Sequence, residues 1–495
     1  MRLHAKVFTI MLMLLLITIS ATLSVGYIEK SNYEINSTLG FPPEIEWNIT
    51  FGNNITSELA CGIIPLDDGG YVLVGNTFYY DEWENYTWIM KVGPNGEPIW
   101  NKTYREPSAA ISFAQADTGG YIICGMKNPD SIWLLSMDEE GNELWNKTYI
   151  PRGIPYGIYQ TQDGYLILGE FLSFDDHVAG ILKVDVNGTF LWYKEYDGFC
   201  YSVAESNDGG FFLVGSDYDD AMIIKIDEDG NQQWKRLYGD IGLKKNFVSI
   251  EKIKDGNWII TGGVYHPTKV VFDILFVKVN EFGDILLDKT IDGPYDSEIG
   301  FDIEQTFDEG YIISGILHGP IPGGRISLLK IDSEGNKCWE KIIDGYSTYP
   351  LFFDNIVHQT IDGGYILIGM TRISSIPKTY PDVFVTKFTS EDFNSPNIQI
   401  LKPEDGLYLQ NKKILELKSS VVFGPINIKC EVTDEETGVE SVQIYLNDEL
   451  KTIRENPPYS FLWDEQVFGQ FKIKIVAYDY AENDYSIEKN VWKFF

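Results

Sequence analysis

Asp308 to Gly315 reads D-E-G-Y-I-I-S-G, and it is followed by Lys330 to Trp339, K-I-D-S-E-G-N-K-C-W. Variants of the first phrase recur with their aromatic residue at Tyr71, Tyr121, Tyr165, Phe211, Trp258, Tyr311 and Tyr365, so successive copies are 50, 44, 46, 47, 53 and 54 residues apart. Self-similarity at this period, with several short strands per copy, is the signature of β-propeller blades. The second phrase follows the first in the same way, for example at Lys183 to Trp192 and Lys225 to Trp234. It reads as strand, tight turn and strand: the Asp bonds nearby backbone amides and the Gly supplies positive φ. The Trp that follows is expected to pack between neighbouring blades. Stretches such as Tyr71 to Gly75 and Tyr311 to Gly315 are apolar throughout. Such runs fit strands covered on both faces, because a strand covered on one face alternates.

The ends of the repeat region complement each other. The seventh copy has middle strands at Tyr365 to Met370 and Asp382 to Phe388 but runs into Ser390 to Pro396 without the expected Trp-bearing strand. A strand of that type stands instead at Ile45 to Gly52, which matches Leu144 to Tyr149. A seven-bladed propeller over residues 44–390, closed by its own N-terminal strand, is therefore expected, since closure leaves no open sheet edge.

Residues 1–25 open with Arg2 and Lys6 and continue as an apolar run from Val7 to Val25, the pattern of an export signal. The run approaches the roughly 20 residues that span a bilayer, so a cleaved signal peptide and a retained N-terminal anchor are both compatible with it. Residues 26–43 read as a linker. The remainder is expected outside the cell, secreted or attached to the surface. Seven N-x-[ST] sequons, from Asn36 to Asn187, are consistent with a glycoprotein. A formal net charge of −34 argues against nucleic acid as a partner, because no basic stripe is present. Cys61, Cys124, Cys200, Cys338 and Cys430 are scattered and odd in number, which fits buried free thiols and neither a disulfide framework nor a zinc site.

Residues 397–495 break the repeat and carry short β runs separated by turns, the pattern of an immunoglobulin-like sandwich. The phrases I-L-K-P-E-D-G (Ile400 to Gly406), D-E-E-T-G-V-E-S-V-Q-I-Y-L-N-D (Asp434 to Asp448), P-P-Y-S-F-L-W-D (Pro457 to Asp464) and I-V-A-Y-D-Y-A-E-N (Ile475 to Asn483) resemble the Ig-like modules of bacterial and archaeal surface proteins. That family usually ends the last phrase in Gly-Asn, where this chain has Glu482-Asn483. The propeller repeats resemble those of secreted prokaryotic propeller proteins, and this resemblance implies no activity. Richness in Ile, Lys and Asn points toward an archaeal source.

In such a sandwich two loops at one end would bring Asp434, Glu435 and Glu436 near Asp479, Glu482 and Asp484. Of these, Asp434, Glu436, Asp479 and Asp484 form the candidate Ca²⁺ site, and calcium is the one cofactor the sequence suggests. In the propeller, the loops joining second to third strands carry aromatics interleaved with acids. Tyr79, Tyr80, Trp83, Glu84 and Tyr86 lie in the first blade, Tyr218 and Asp219 in the fourth, and Tyr265, next to His266, in the fifth. These are the candidate ligand-binding residues, suited to stacking on sugar rings or capturing a basic peptide.

The K-[VI]-D-x-x-G-x-x-x-W turn resembles the tryptophan repeats of quinone-dependent dehydrogenases, but their vicinal cysteine pair is absent here. It also resembles sialidase Asp boxes, but with longer spacing and no motif that gathers three arginines. The sequence thus favours a non-catalytic extracellular binding or adhesion protein that recognises a glycan, peptide or envelope protein. The alternative is a glycan hydrolase or lyase using loop carboxylates on the same face, which would leave no sequence signature.

Overall fold

The computed structural model describes residues 42–52, 56–79, 84–104, 108–117, 119–127, 131–173, 176–267, 271–292, 298–317, 325–343, 346–347, 356–371, 381–391, 395–434, 438–479 and 483–495. The export segment and most of the linker lie outside them. Among the described residues no helix is long and apolar enough to cross a membrane.

The repeat region folds into a succession of antiparallel meanders. Sheet 1 holds Ser57–Pro65, Tyr71–Tyr79, Glu84–Val92 and Pro98–Tyr104 in that order. Sheet 2 begins with Ser108–Gln115, Tyr121–Lys127 and Ser131–Met137, and ends on the first half of the long strand Glu143–Thr161. The second half of that strand opens sheet 3, which continues with Gly164–Ser173, Asp176–Asp185 and Phe190–Tyr196. Sheet 4 runs through Phe199–Glu205, Phe211–Asp217, Asp220–Ile226 and Gln232–Tyr238. Sheet 5 contains Lys244–Lys252, Trp258–His266, Val271–Val279 and Ile285–Ile291. Sheet 6 contains Glu298–Gln305, Tyr311–Leu317, Arg325–Ile331 and Lys337–Ile343. Sheet 7 joins Val357–Gln359 and Tyr346–Ser347 to Tyr365–Thr371, then Val383–Phe388 and finally Ile45–Phe51. First strands of consecutive sheets pack on one another, and that of sheet 1 also packs on Val357–Gln359 of sheet 7. This radial arrangement is that of a β-propeller.

Three repeated devices hold the sheets, and each is written in the two phrases. First, the Asp before the Gly-aromatic step pairs with the Lys at the end of the third strand. Lys91 meets Asp68, Lys225 meets Asp208, Lys330 meets Asp308 and Lys387 meets Asp362, each at 2.7 Å. The last three ammonium groups belong to side chains only 2–4% exposed, whereas their Asp partners are 36–57% exposed. Sheet 2 lacks the device because Ser136 occupies the Lys position.

Second, the Asp of the third-to-fourth-strand turn caps that turn. Asp138 Oδ1 accepts from the amides of Glu140 (3.1 Å) and Asn142 (2.7 Å), while Gly141 takes φ 69°. Third, the Trp of one sheet lies over the turn Gly of the next. A Cβ on Gly141 would come within 2.9 Å of the Trp100 ring, and one on Gly188 within 2.7 Å of Trp145. The hydroxyls of Tyr104 and Tyr149 donate to the carbonyls of the same two glycines at 2.7 Å.

The strand Ile45–Phe51 obeys the same rules. Trp47 pairs with Lys387 as Trp100 pairs with Lys91 and Trp234 with Lys225. Its ring lies over Gly96 of sheet 1, and its indole N–H donates to the Pro94 carbonyl at 3.0 Å.

The C-terminal strands form a sandwich. Asn397–Lys402, Ile426–Thr433 and Ser460–Trp463 make a three-stranded sheet, and Phe468–Asp479, Asp484–Phe494 and Val439–Leu446 lie in a seven-stranded one. Ile428, Ile444, Trp463, Ile475 and Val491, all fully buried, form its core. Ile426–Thr433 alternates buried with exposed residues, as a strand covered on one face should, whereas Tyr71–Tyr79 is buried over its first seven residues. All five cysteines are free, and Cys338 alone among them is not fully buried.

Candidate functional site

Successive turns of a meander lie at alternate ends of a sheet. The hairpins between second and third strands therefore gather at one end of the propeller and the D-G-G turns at the other. The sequence-predicted ligand residues belong to the hairpin end, on sheets 1, 4 and 5.

On sheet 1, Tyr79 and Tyr86 form an edge-to-face pair with ring centroids 5.3 Å apart, and the Tyr86 hydroxyl donates to Glu84 at 2.7 Å. Tyr80 and Trp83 lie outside the described residues. On sheet 4, Tyr218 is 96% exposed and sits at φ 54° at the tip of the 217–220 turn. Asp219 pairs with Lys244 of sheet 5 at 2.7 Å, and Lys244 is itself the strand partner of Tyr265. The rings of Tyr265 and Phe272 lie 4.8 Å apart. The structure thus joins the residues of sheets 4 and 5 through Lys244 and leaves those of sheet 1 as a separate group. Glu84 and Asp219 stand on non-neighbouring sheets, each with its own partner.

The opposite end holds a feature that the sequence reading missed. Each first strand of sheets 1 to 6 has a bulge near its middle, at Cys61, Ile111, Tyr156, Tyr201, Val248 and Phe301. After the bulge, alternate residues face the axis, and a cavity of about 450 Å³ opens there toward the D-G-G turns. Its position three residues past the bulge is occupied by Ile64, Ala114, Tyr159 and Ala204 in sheets 1 to 4, but by Glu251 and Glu304 in sheets 5 and 6. In sheet 7, His358 holds the equivalent place opposite Ile366. One side of the axis is therefore apolar and the other titratable.

The acids are braced by backbone. Asp302 Oδ2 accepts from the amides of Ile356 (2.9 Å) and Val357 (3.3 Å), as Ser112 Oγ accepts from Ile158 and Ser202 Oγ from Ile250. Glu251 accepts from the Gln305 amide at 3.0 Å, and Glu304 from the Gln359 amide at 3.2 Å. The other Glu304 oxygen lies 2.8 Å from His358 Nδ1.

Burial pushes the Asp302 carboxyl up to about 6, against the opposing pull of His358 and the backbone donors. Burial, reinforced by the charges of Glu304 and Asp302, raises Glu251 well above the carboxylate range. Burial alone would lower His358, but the Glu304 charge and hydrogen bond, together with Asp302, outweigh it and raise the imidazole.

In the sandwich, Val439 pairs with Asp479 at the end of their two strands. Asp434 Oδ1 accepts from the Gly438 amide at 2.8 Å. The fully buried Asp479 accepts from the Asn483 amide at 2.8 Å and, through its other oxygen, from the Asn483 side chain at 3.0 Å. Asp484 is exposed at the start of its strand, and Glu436 lies outside the described residues. Among the described residues no three carboxylate, imidazole or thiol groups converge as metal ligands.

Residues 396–488 match the bacterial Ig domain family. The bacterial Ig domain thus coincides with the sandwich strands. In structure the chain is similar to the extracellular domain of a putative hybrid two-component system from B. thetaiotaomicron, at 10% identity and TM-score 0.42, covering 92% of this chain and 58% of that one. It is also similar to a catalytically inactive virginiamycin B lyase from Staphylococcus aureus, at 13% identity and TM-score 0.42, covering 69% of this chain and 98% of that one. A third likeness is to the Dos1 propeller, at 10% identity and TM-score 0.41, covering 71% of this chain and 96% of that one. No curated protein matches the chain by sequence.

Proposed function

We propose that this chain is a non-catalytic binding or adhesion protein, secreted or attached to the cell surface. In this reading a seven-bladed propeller, closed by Ile45–Phe51, recognises a glycan, peptide or envelope protein at its hairpin end. The bacterial Ig domain, set off near residue 396, serves as spacer or adhesive.

The observation that carries this reading is Tyr218. A bulky residue in the left-handed region is an outlier, held at a cost of about 1–2 kcal/mol where glycine would sit without strain. The two-residue hairpin between Asp217 and Asp220 calls for positive φ at this place, and the side chain that fills it is 96% exposed. Strain kept at an exposed aromatic is best accounted for by contact with a partner. Aromatic pairs on the hairpins of sheets 1 and 5 extend the same end with flat apolar faces beside Glu84 and Asp219.

The test is a binding screen of the chain from residue 42 against a glycan array and a peptide library, repeated with Tyr218→Gly. The variant is expected to fold with equal or higher Tm and to lose binding at least tenfold. Retention of full affinity would remove the hairpin end as the site.

A further inference from the structure

We propose that the cavity at the D-G-G end of the propeller axis is a second binding site, distinct from the hairpin end, which takes a protonated alkylamine such as the lysine side chain of a peptide.

The cavity, about 450 Å³, is of the size of small-ligand pockets. One wall is aliphatic and aromatic, with Ile64, Phe113 and Ile158, and suits a methylene stem. The facing wall carries Glu251, Glu304 and His358. Glu304 is 25% exposed in its side chain, so the acidic wall is reachable from solvent.

A second observation points to a ligand with several donors. Ser249 is only 4% exposed and lines the cavity. The buried carbonyl oxygen of Gln160, on the same lining, is unpartnered, as is His358 Nε2. An ammonium group offers three donors and no acceptor, matching the unused Gln160 oxygen beside carboxylates.

Other ligand classes fit less well. An anion would face Glu304 and Glu251. A hard divalent cation needs six or more oxygens, whereas here one oxygen of each carboxylate is turned to a backbone amide.

Glu251 faces Glu304 and Asp302 of sheet 6, His358 of sheet 7 and Tyr159 of sheet 3 across the cavity. Burial and the neighbouring charges raise the Glu251 carboxyl well above the usual range, and an entering ammonium, which favours the carboxylate, would draw a proton off it to the buffer. Binding should therefore strengthen as pH rises.

The test is calorimetric titration of the full chain with n-butylammonium chloride, with n-butanol and tetramethylammonium as controls. Saturable binding of butylammonium alone is expected, with proton release. Glu251→Gln, whose side-chain oxygen still accepts from Gln305, should weaken it at least tenfold. Ser249→Ala, which removes a hydroxyl from the lining, should weaken it several-fold at unchanged Tm, and Tyr218→Gly should not change it. Absence of saturable binding, equal binding of tetramethylammonium, or undiminished affinity in the two pocket variants would overturn the proposal.

Discussion

Sheet 7 differs from the other six in how it is assembled, and yet it repeats their contacts. Sheets 1 to 6 are made from consecutive strands, whereas sheet 7 takes its outer strand, Ile45–Phe51, from the opposite end of the repeat region. Among the described residues its axial strand is Val357–Gln359, fastened to sheet 6 by Asp302 and Glu304, where the strands after sheets 2 and 4 are fastened by the hydroxyls of Ser112 and Ser202. Trp47 nevertheless meets Lys387 and Gly96 as Trp100 meets Lys91 and Gly141. The comparison teaches that a sheet of this kind is defined by its Trp, Lys and Gly contacts and not by chain connectivity. It also shows where the molecule is most exposed to pH, because the acids that brace sheets 6 and 7, Glu251, Asp302 and Glu304, are titratable.

The largest effect is expected from removing residues 42–52. This bares Val383–Phe388 as an edge and strips the cover from Gly96, so the propeller transition should fall by more than about 10 °C or disappear in a thermal melt. Next, Trp47→Ala and Trp145→Ala are each expected to destabilise by about 2–4 kcal/mol in urea titration, given half-buried rings. A near-zero value for Trp47 alone would break the equivalence of sheet 7 with the others.

The pH response ranks third. The folded-state pKa of Asp302, near 6, lies above its ordinary 3.8, so its stabilising contribution is full below about pH 4 and lost as pH rises through 6. That shift amounts to at most about 3 kcal/mol. Glu251 and His358 are raised too and have the same sign. The Tm should accordingly rise as pH falls from 8 to 5, and Glu251→Gln should flatten that slope. Below about pH 4 the trend reverses as depressed carboxyls such as Asp208, near 2 beside Lys225, begin to protonate.

A smaller contrast separates Asp362→Asn from Asp68→Asn. Lys387 is 2% exposed and loses a needed partner, though Glu46 remains at 3.0 Å, while Lys91 at 21% can turn to water. Costs of about 1–2 kcal/mol and under about 1 kcal/mol are expected in denaturant titrations. The smallest effect is expected from chelating calcium. Both Asp479 oxygens already accept from Asn483, so the sandwich transition should move by less than about 2 °C on adding EGTA.

Much of the propeller was legible because its second and third strands are buried on both faces and its turns need particular residues, which forces the same phrases to recur. The Lys and Asp of Lys330–Asp308 stand in those phrases at fixed places, and their pairing could have been read from the recurrence alone. The axial cluster was not legible. First strands are constrained by a bulge and by alternation toward an open channel, which accepts Ala114, Tyr159 or Glu251 at one place, so no phrase marks them. The hairpin residues were identifiable by composition, but nothing in Tyr218-Asp219 announced a left-handed tyrosine. For the sandwich, Asp434 and Asp479 were legible as acids near one end of the sheet, but an acid that caps a loop amide is written with the same letter as one that binds a metal, so the sequence does not separate the two roles.

The most direct test of the closure is hydrogen exchange of the native chain at residues 47–51 compared with 100–104. Equivalence of the two outer strands predicts amide protection within about tenfold of each other, and exchange of 47–51 at the rate of an unstructured peptide, with 100–104 still protected, would contradict it.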